Sequence, residues 1–148
     1  MSMGRITVST DKSQLDIDLI HRFLSEQSYW AKNIPRDVVD RSIANSLCFG
    51  AFEDGRQIGF ARAVSDYAVF AYVGDVFVIE SHRGRGVSKM LMKAMMEHPS
   101  LQGLRRWMLL TSDAHDLYRQ FGFTGIANPE KHMEIAVKSP YGPTSSRA

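Results

Sequence analysis

A glycine-containing turn between two apolar segments is the part of this sequence best suited to chemistry. The segment runs from Asp75 to Lys89 and places Gly84 and Gly86 between a predicted buried strand and a predicted helix. The first turn of a helix presents unpaired backbone N–H groups and the positive end of the helix dipole. Glycine lets the backbone approach a ligand closely. These features together predict a site for a phosphate or pyrophosphate group.

Two common phosphate-binding motifs do not fit this turn. A P-loop requires GxxxxGK followed by Ser or Thr, and a dinucleotide-binding fingerprint requires GxGxxG. Counted from Gly84, Lys89 stands where either motif needs a glycine. No metal site is predicted, because the single cysteine, Cys48, leaves no CxxC pair and no internal disulfide.

The residues from Arg83 to Ser88, Arg-Gly-Arg-Gly-Val-Ser, resemble the Arg/Gln-x-x-Gly-x-Gly/Ala signature of the GNAT superfamily of N-acetyltransferases. Residues 113–123 resemble the A-x-x-x-Tyr-x-x-x-Gly-Phe helix of the same superfamily, with Tyr118 at the tyrosine. Ser88 stands where Gly or Ala is usual, but it is small enough for close approach, and its hydroxyl can bond a phosphate oxygen. The resemblance covers roughly residues 5–137.

The resemblance implies transfer of an acetyl group from acetyl-CoA to an amine by direct attack on the thioester. It implies that backbone N–H groups of the loop hold the pyrophosphate, and that a backbone N–H near Val78 binds the oxyanion where the central strand diverges from its neighbour. It makes Tyr118 the general acid for the departing thiolate, since a phenol is protonated at neutral pH. The residues it assigns to cofactor binding are Phe77, Val78, Arg83, Gly84, Arg85, Gly86, Val87 and Ser88.

The general base is open between several groups. Asp75 and Glu80 are the acids of the central strand, and their parity places them on opposite faces. Apolar surroundings make a carboxylate more basic, which favours Asp75 as the second catalytic residue. Glu80, an ordered water or no base at all are the alternatives, and His82 and His115 are minor candidates near the two motifs.

The resemblance also implies that the segment between the first two helices, Ser28 to Pro35, forms one wall of the acceptor site, here called the acceptor wall. Tyr29 and Trp30 offer flat faces that suit an acceptor, and Phe70 and Tyr72 are placed to face them. Aromatic residues that merely pack a helix end are an equally good interpretation. The acceptor class stays open between a small amine, an amino acid, and a lysine or N-terminus of a protein.

The hydrophobic pattern predicts the elements that must position these groups. Their order, β-α-α-β-β-β-α-β-α-β, predicts an α/β fold with a mixed sheet and helices on both faces, which is also the GNAT order. The predicted strands are residues 5–9, 47–52, 57–64, 72–79, 106–111 and 133–137, and the helices are residues 16–27, a helix starting at Pro35, 86–98 and 114–120.

Length and composition indicate one globular domain. The chain has 148 residues, 44% of them hydrophobic, which predicts a single domain over residues 1–138 and a flexible tail over 139–148. Lys and Arg total 18 against 16 Asp and Glu, too small an excess for a dedicated nucleic-acid binder. No signal peptide or membrane span is recognisable, so a soluble cytoplasmic protein is expected.

Two further function classes stay open beside the enzyme. One is a non-catalytic domain that binds or senses acyl-CoA, and the other is a partner-binding module that shares only the fold. The presence of both the loop motif and Tyr118 favours an enzyme. Eight methionines leave room for an apolar contact between two copies of the chain, so a homodimer is a further expectation.

Overall fold

The sheet at the centre of the molecule has five strands in the order β1-β2-β3-β4-β5. The computed structural model describes residues 5–142. Strands β1 to β4 pair in antiparallel fashion, and β5 lies parallel to β4, so the predicted mixed sheet is confirmed. The strands are β1 (Ile6–Ser9), β2 (Leu47–Glu53), β3 (Arg56–Ser65), β4 (Phe70–Val78) and β5 (Arg106–Leu109).

The helices begin and end close to the positions that the sequence predicts. They are α1 (Ile17–Glu26), α2 (Arg36–Ala44), α3 (Val87–Glu97) and α4 (His115–Arg119). Asp16 caps α1 by accepting a hydrogen bond from the backbone N–H of Leu19. Pro35 is the capping residue of α2 rather than its first residue, so that helix begins one position later than predicted.

A two-residue turn joins β2 to β3. Asp54 and Gly55 both have positive φ, at 52° and 81°, and Glu53 pairs with Arg56 across the hairpin. Positive φ at both central residues is the conformation that Asp-Gly favours in a hairpin, because its twist matches that of the strands. The predicted hairpin is therefore confirmed.

Helices cover both faces of the sheet. A Cβ built on Gly59 would lie 3.3 Å from the Leu91 side chain of α3, so that face packs against α3. The next residue, Phe60, points to the other face and packs against Phe77, whose ring stacks on Phe23 of α1 at 4.0 Å. The central strands are therefore buried on both sides, which explains their nearly continuous apolar sequence.

The predicted last strand is wrong. Residues 133–137 form no strand and run over the surface, with Met133 97% and Ile135 98% exposed. Their alternation of apolar and polar residues is the pattern of a strand with one buried face. A strand also needs an edge to pair with, and periodicity along one segment carries no information about its partner.

The C-terminal tail lies partly outside the described residues. Residues 139–142 form a turn in which the Gly142 N–H donates to the Ser139 carbonyl, and the partly buried Tyr141 packs against the core. Residues 143–148 lie outside the described part of the chain, so their predicted flexibility stays a prediction. No helix within residues 5–142 has the length and apolar character needed to cross a membrane.

Candidate active site

The candidate site lies where β4 and β5 separate. The two strands pair from Phe70 with Arg106 to Val73 with Leu109, and beyond this point β4 continues to Val78 paired with β3 alone. A cavity of about 610 Å³ opens at this point. The divergence that the family resemblance requires is therefore present. The cavity is lined by Tyr29, Trp30, Arg62, Tyr72, Val73, Gly74, Asp75, Val76, Leu109, Leu110, Thr111, Ser112, Asp113, Ala114 and Tyr118.

A β-bulge in β4 lies at the mouth of the divergence. Phe77 pairs with Phe60 and Gly74 pairs with Arg62, so β4 holds one residue more than β3 between these pairs. Asp75 lies in the bulge with φ of 53°, a conformation that is uncommon for a residue other than glycine. Bulges bend a strand and redirect its side chains, and this one turns the Asp75 side chain into the cavity wall.

Both carboxylate oxygens of Asp75 are occupied. Oδ1 accepts a hydrogen bond from Trp30 Nε1 at 2.8 Å, and Oδ2 accepts one from Arg62 Nε at 2.6 Å. The Arg62 guanidinium also donates to the hydroxyl of Ser46 through Nη1. The apolar surroundings expected for Asp75 are therefore wrong, since an ion pair and an indole N–H surround it. The role of Asp75 as a base stays an untested prediction, and because both of its oxygens already accept hydrogen bonds, the geometry favours a role in holding Trp30 and Arg62.

The two aromatic residues predicted for the acceptor wall both line the cavity. The rings of Tyr29 and Trp30 meet edge to face at 5.0 Å, and both side chains are substantially exposed. The Tyr29 hydroxyl accepts a hydrogen bond from the backbone N–H of Ser112 at 3.0 Å, which ties this wall to the segment after β5. Tyr72 also lines the cavity, whereas Phe70 does not.

Tyr118 lines the same cavity from α4. Only 8% of the residue is exposed, and no protein hydrogen bond within the described residues uses its hydroxyl. Burial, with smaller contributions from Tyr29 and Asp113, raises the pKa of Tyr118 to about 12. The phenol therefore stays neutral at any pH at which the protein would work, and its O–H is available to a group bound in the cavity.

The glycine loop at the start of α3 presents unpaired backbone amides. Gly84 and Gly86 have φ of 78° and 77°, a region that glycine enters without steric cost. No backbone N–H from Gly84 to Lys89 donates to a protein acceptor within the described residues. Gly86 caps α3, so the positive end of the helix dipole lies at the same place. The loop fits the pyrophosphate site that the sequence predicts.

The charged side chains of the loop are largely engaged within the protein. Arg85 Nη2 donates to Glu53 Oε2 at 2.8 Å, and His82 Nε2 lies 2.6 Å from Glu53 Oε1. These bonds, first that of His82 and then that of Arg85, hold the pKa of the Glu53 carboxyl below its ordinary value. Arg83 Nε donates to the Val78 carbonyl at 3.3 Å. The network anchors the loop to the β2–β3 hairpin and leaves phosphate binding mainly to the backbone.

The remaining residues predicted to bind the cofactor can do so only through their backbone groups. The side chains of Phe77 and Val87 are buried in the core, so only their backbones can face a ligand. The Ile79 N–H donates to the Ile58 carbonyl of β3. Because successive N–H groups alternate along a strand, the Val78 N–H points to the opposite side, from which β5 has diverged. This orientation suits the predicted oxyanion donor.

The other candidates for a base lie away from the cavity. Glu80 is exposed in the turn that follows β4, and His115 is exposed at the start of α4. His82 is buried and fixed between Glu53 and the Ser81 hydroxyl. No group of His, Cys, Asp and Glu side chains within residues 5–142 could hold a metal ion.

Sequence reasoning missed two residues of the site and its surroundings. Arg62 pairs with Asp75, and Glu53 anchors the glycine loop. Neither residue belongs to a recognisable motif. A motif is a pattern of nearby residues, whereas Arg62 lies 13 residues from Asp75 and Glu53 lies 32 residues from Arg85. The available signal was the β3–β4 register, since pairing the two strands brings the opposite charges of Arg62 and Asp75 together.

Known proteins are similar to this chain in sequence and in fold. The sequence matches the acetyltransferase (GNAT) family over residues 17–123. A protein of Gibberella zeae named as an acetyltransferase is 31% identical, with 84% of this chain and 87% of that protein covered. A GNAT-family acetyltransferase from Xanthomonas campestris pv. campestris is 58% identical with a TM-score of 0.93, over 96% of this chain and all of the other.

A more distant structure shows the same fold with a ligand bound. It is a GNAT-family acetyltransferase from Brucella melitensis in complex with acetyl-CoA, with 18% identity and a TM-score of 0.66, over 83% of this chain and 85% of that one. The strand, loop and helix arrangement thus defines an acyltransferase fold. The chain belongs to the acetyltransferase (GNAT) family, which confirms the resemblance drawn from its two motifs.

Proposed function

We propose that this protein transfers the acetyl group of acetyl-CoA directly to an amine. The observation that carries the proposal is the divergence of β4 from β5, which opens the cavity beside Tyr118 and frees the β4 edge. Such an opening gives an acceptor amine and a thioester room to meet. Their confinement lowers the entropic cost of a reaction between two molecules.

The glycine loop binds the pyrophosphate of acetyl-CoA in this proposal. The unpaired amides from Gly84 to Lys89 supply hydrogen-bond donors, and the α3 dipole favours the negative charge. The hydroxyl of Ser88 adds a further donor beside the first turn of α3. The acetyl-CoA complex of the Brucella melitensis relative supports this assignment through its shared fold.

In the transfer step the amine nitrogen bonds to the thioester carbon and the C–S bond breaks. The electron pair of that bond leaves with sulfur, and a proton lost by nitrogen balances the proton gained by the thiolate. The Val78 N–H donates a hydrogen bond to the oxyanion of the tetrahedral intermediate, and one such donor contributes about 3 kcal/mol in a dry site.

Tyr118 donates a hydrogen bond to the departing sulfur. With a pKa of about 12, full proton transfer from the phenol to a thiolate whose thiol has a pKa of about 8.5 costs about 5 kcal/mol. A hydrogen bond stabilises the same charge without that transfer. The amine itself then supplies the proton that the free thiol finally carries.

Asp75 holds the acceptor wall in place by fixing Trp30 and Arg62. We expect Asp75→Asn to raise the KM for the amine about tenfold, because it loosens Trp30 and leaves the Arg62 charge partly buried without its counter-ion. The pH dependence of kcat stays unchanged. Steady-state kinetics over a range of pH checks this expectation.

Asp54→Asn is the matched control for this substitution. Asp54 has a φ of 52°, nearly the same as that of Asp75, and lies in the β2–β3 turn outside the cavity lining. We therefore expect the kcat and KM of Asp54→Asn to equal those of the wild type. A large fall in kcat for Asp75→Asn, together with loss of the acidic limb of its pH profile, would instead make Asp75 the base.

Direct transfer also predicts that the single cysteine is dispensable. Cys48 is 1% exposed in β2 and does not line the cavity, and burial raises its pKa to about 11. A buried thiol of this kind is a poor nucleophile. We expect Cys48→Ala to keep kcat within about twofold and to lose about 1 kcal/mol of stability. Inactivation of the native protein by iodoacetamide would contradict direct transfer.

The proposed function is tested by thiol release from acetyl-CoA with a panel of acceptors. The panel contains small amines, amino acids, and peptides with a free lysine or N-terminus, and mass spectrometry identifies the product. The expected result is amine-dependent release of free CoA with one acetyl group gained by the amine. Binding of acetyl-CoA without transfer to any acceptor would favour the non-catalytic acyl-CoA-binding domain.

A further inference from the structure

The cavity between β4 and β5 carries a net negative charge. Its charged lining residues are Arg62, Asp75 and Asp113. Arg62 Nε donates to Asp75 Oδ2 at 2.6 Å, so the charges of these two residues cancel each other within the cavity wall. The carboxylate of Asp113 is left over, and it makes the cavity attractive to a cation.

The Asp113 carboxylate is free to bind a ligand. Within residues 5–142, no hydrogen bond or ion pair uses its carboxylate oxygens, and the residue is exposed. Its charge contributes to the raised pKa of Tyr118, whose hydroxyl is aimed at the departing sulfur in the proposed reaction. Because the effect of a charge falls with distance, the carboxylate lies near the place where the amine reacts.

Hydrogen bonds to the backbone hold Asp113 beside the acceptor wall. The Tyr29 hydroxyl accepts a hydrogen bond from the N–H of Ser112, the residue before Asp113, at 3.0 Å. The Thr111 Oγ1 accepts one from the N–H of Ala114, the residue after it, also at 3.0 Å. The segment that carries the carboxylate is therefore fixed on both sides of Asp113 and is bonded to the acceptor wall itself.

Aromatic side chains form much of the remaining cavity surface. Tyr29 and Trp30 are 56% and 41% exposed, and Tyr72 and Tyr118 line the same cavity. Asp75 holds the indole of Trp30 through its ring N–H, which leaves the faces of the ring available for contact. Aromatic faces pack against flat apolar groups and attract cations. The cavity volume of about 610 Å³ is typical of a site for a small molecule.

Arg62 does not offer an open site for a carboxylate. A guanidinium binds a carboxylate best through two parallel N–H bonds. Here Nε donates to Asp75, and Nη1 donates to the Ser46 hydroxyl at 3.1 Å. A carboxylate on the acceptor would compete with Asp75 for this guanidinium and would also be repelled by Asp113. The cavity is therefore selective against acceptors that carry a carboxylate next to the amine.

We propose that the acceptor is a small primary amine with an aromatic body and no carboxylate, and that Asp113 selects it by binding its ammonium form. This inference rests on the proposed function, because it assigns the acceptor of the same site. The aromatic body lies against Tyr29 and Trp30. One proton of the ammonium passes to water before attack, and the neutral nitrogen then reacts with the thioester as described above.

Phenethylamine and phenylalanine provide a direct test, because they differ only by a carboxylate. Calorimetry measures the binding of each to the wild-type protein, alone and with desulfo-CoA. We expect phenethylamine to bind at least about tenfold more tightly than phenylalanine, and also more tightly than ethylamine, which lacks the ring. Asp113→Asn should weaken phenethylamine binding about fivefold and change phenylalanine binding little, because the zwitterion carries both charges beside that carboxylate.

Asp116→Asn is the matched control for Asp113→Asn. It removes the same charge three residues further along the chain, in α4 and outside the cavity lining. The Asp116 side chain forms an exposed ion pair with Arg119 at 2.9 Å, and such a pair contributes little to stability. We expect this variant to bind both ligands as the wild type does, and circular dichroism verifies that both variants are folded.

Binding and acetyl transfer measured side by side separate this inference from the proposed function. Equal affinity for phenethylamine and phenylalanine, a preference that survives in Asp113→Asn, or no binding of phenethylamine at millimolar concentration would each overturn the acceptor assignment. Faster transfer to phenylalanine or to a lysine peptide than to phenethylamine would overturn it as well, but would leave the proposed function intact. The expected selective binding without release of CoA would uphold the assignment and overturn the proposed transfer.

Discussion

We expect Tyr118→Phe to lower kcat about 100- to 1,000-fold while the affinity for acetyl-CoA stays unchanged. The variant removes one O–H group from a cavity whose wall is otherwise intact, so the loss falls on the departing thiolate. A donor aimed at charge that develops in the transition state contributes about this much in a water-poor site. Steady-state kinetics with saturating amine and calorimetry with acetyl-CoA measure the two quantities.

Tyr67→Phe is the control, because it removes the same hydroxyl from an exposed residue outside the cavity lining. We expect its kinetics to equal those of the wild type. Equal kcat values for Tyr118→Phe and the wild type would show that the thiolate leaves without a protein donor, and would remove Tyr118 from the mechanism.

The raised pKa of Tyr118 gives this prediction a pH dependence. Burial favours the neutral phenol, so the donor is present until the pH approaches about 12. The wild-type kcat therefore shows no falling limb from this group below about pH 11. The buried neutral phenol of Tyr118 also stabilises the fold. This stabilisation is complete below the pKa of about 10 that the phenol has in the unfolded chain, and it is lost as the pH rises towards 12.

We expect Gly86→Trp to weaken the binding of acetyl-CoA strongly with only a modest loss of stability. A side chain at φ of 77° costs about 1–2 kcal/mol of backbone strain. No atom lies within 4 Å of the added Cβ, so the fold has room for it. The indole instead occupies space in front of the loop amides, and the KM for acetyl-CoA rises at least about 100-fold.

Gly55→Trp is a closely matched control for this substitution. Gly55 has φ of 81°, its Cβ position is equally open, and it lies in the β2–β3 turn. Both variants lose similar stability, and only Gly86→Trp loses the rise in melting temperature that acetyl-CoA gives the wild type. Equal ligand responses in the two variants would show that the pyrophosphate does not lie on the loop.

The glycine loop was predictable because its function depends on local backbone conformation. Gly84 and Gly86 stand where positive φ is required, and α3 begins directly after them. Both facts are encoded within a few consecutive residues. The hairpin at Asp54 and Gly55 was predictable for the same reason, since a two-residue turn is specified by its own residues.

The surroundings of Asp75 were not predictable in this way. Its neighbours along the chain are apolar, but its partners Trp30 and Arg62 come from the α1–α2 connection and from β3. The bulge that turns Asp75 into the cavity wall is visible only in the register of β3 against β4. Contacts between distant segments depend on the packed fold, which a linear pattern does not contain.

The error over residues 133–137 has the same physical origin. The segment has the alternation of a strand, but within residues 5–142 it pairs with no other strand, and the structure leaves it exposed.

The most direct test of the account is calorimetric titration of acetyl-CoA into the wild-type protein. The loop amides and the cavity between β4 and β5 predict binding of one acetyl-CoA per chain with micromolar affinity. Desulfo-CoA, which keeps the pyrophosphate but lacks the thioester, should bind with similar affinity. A folded protein that binds no acetyl-CoA at millimolar concentration would contradict the acetyltransferase mechanism and leave a module that shares only the fold.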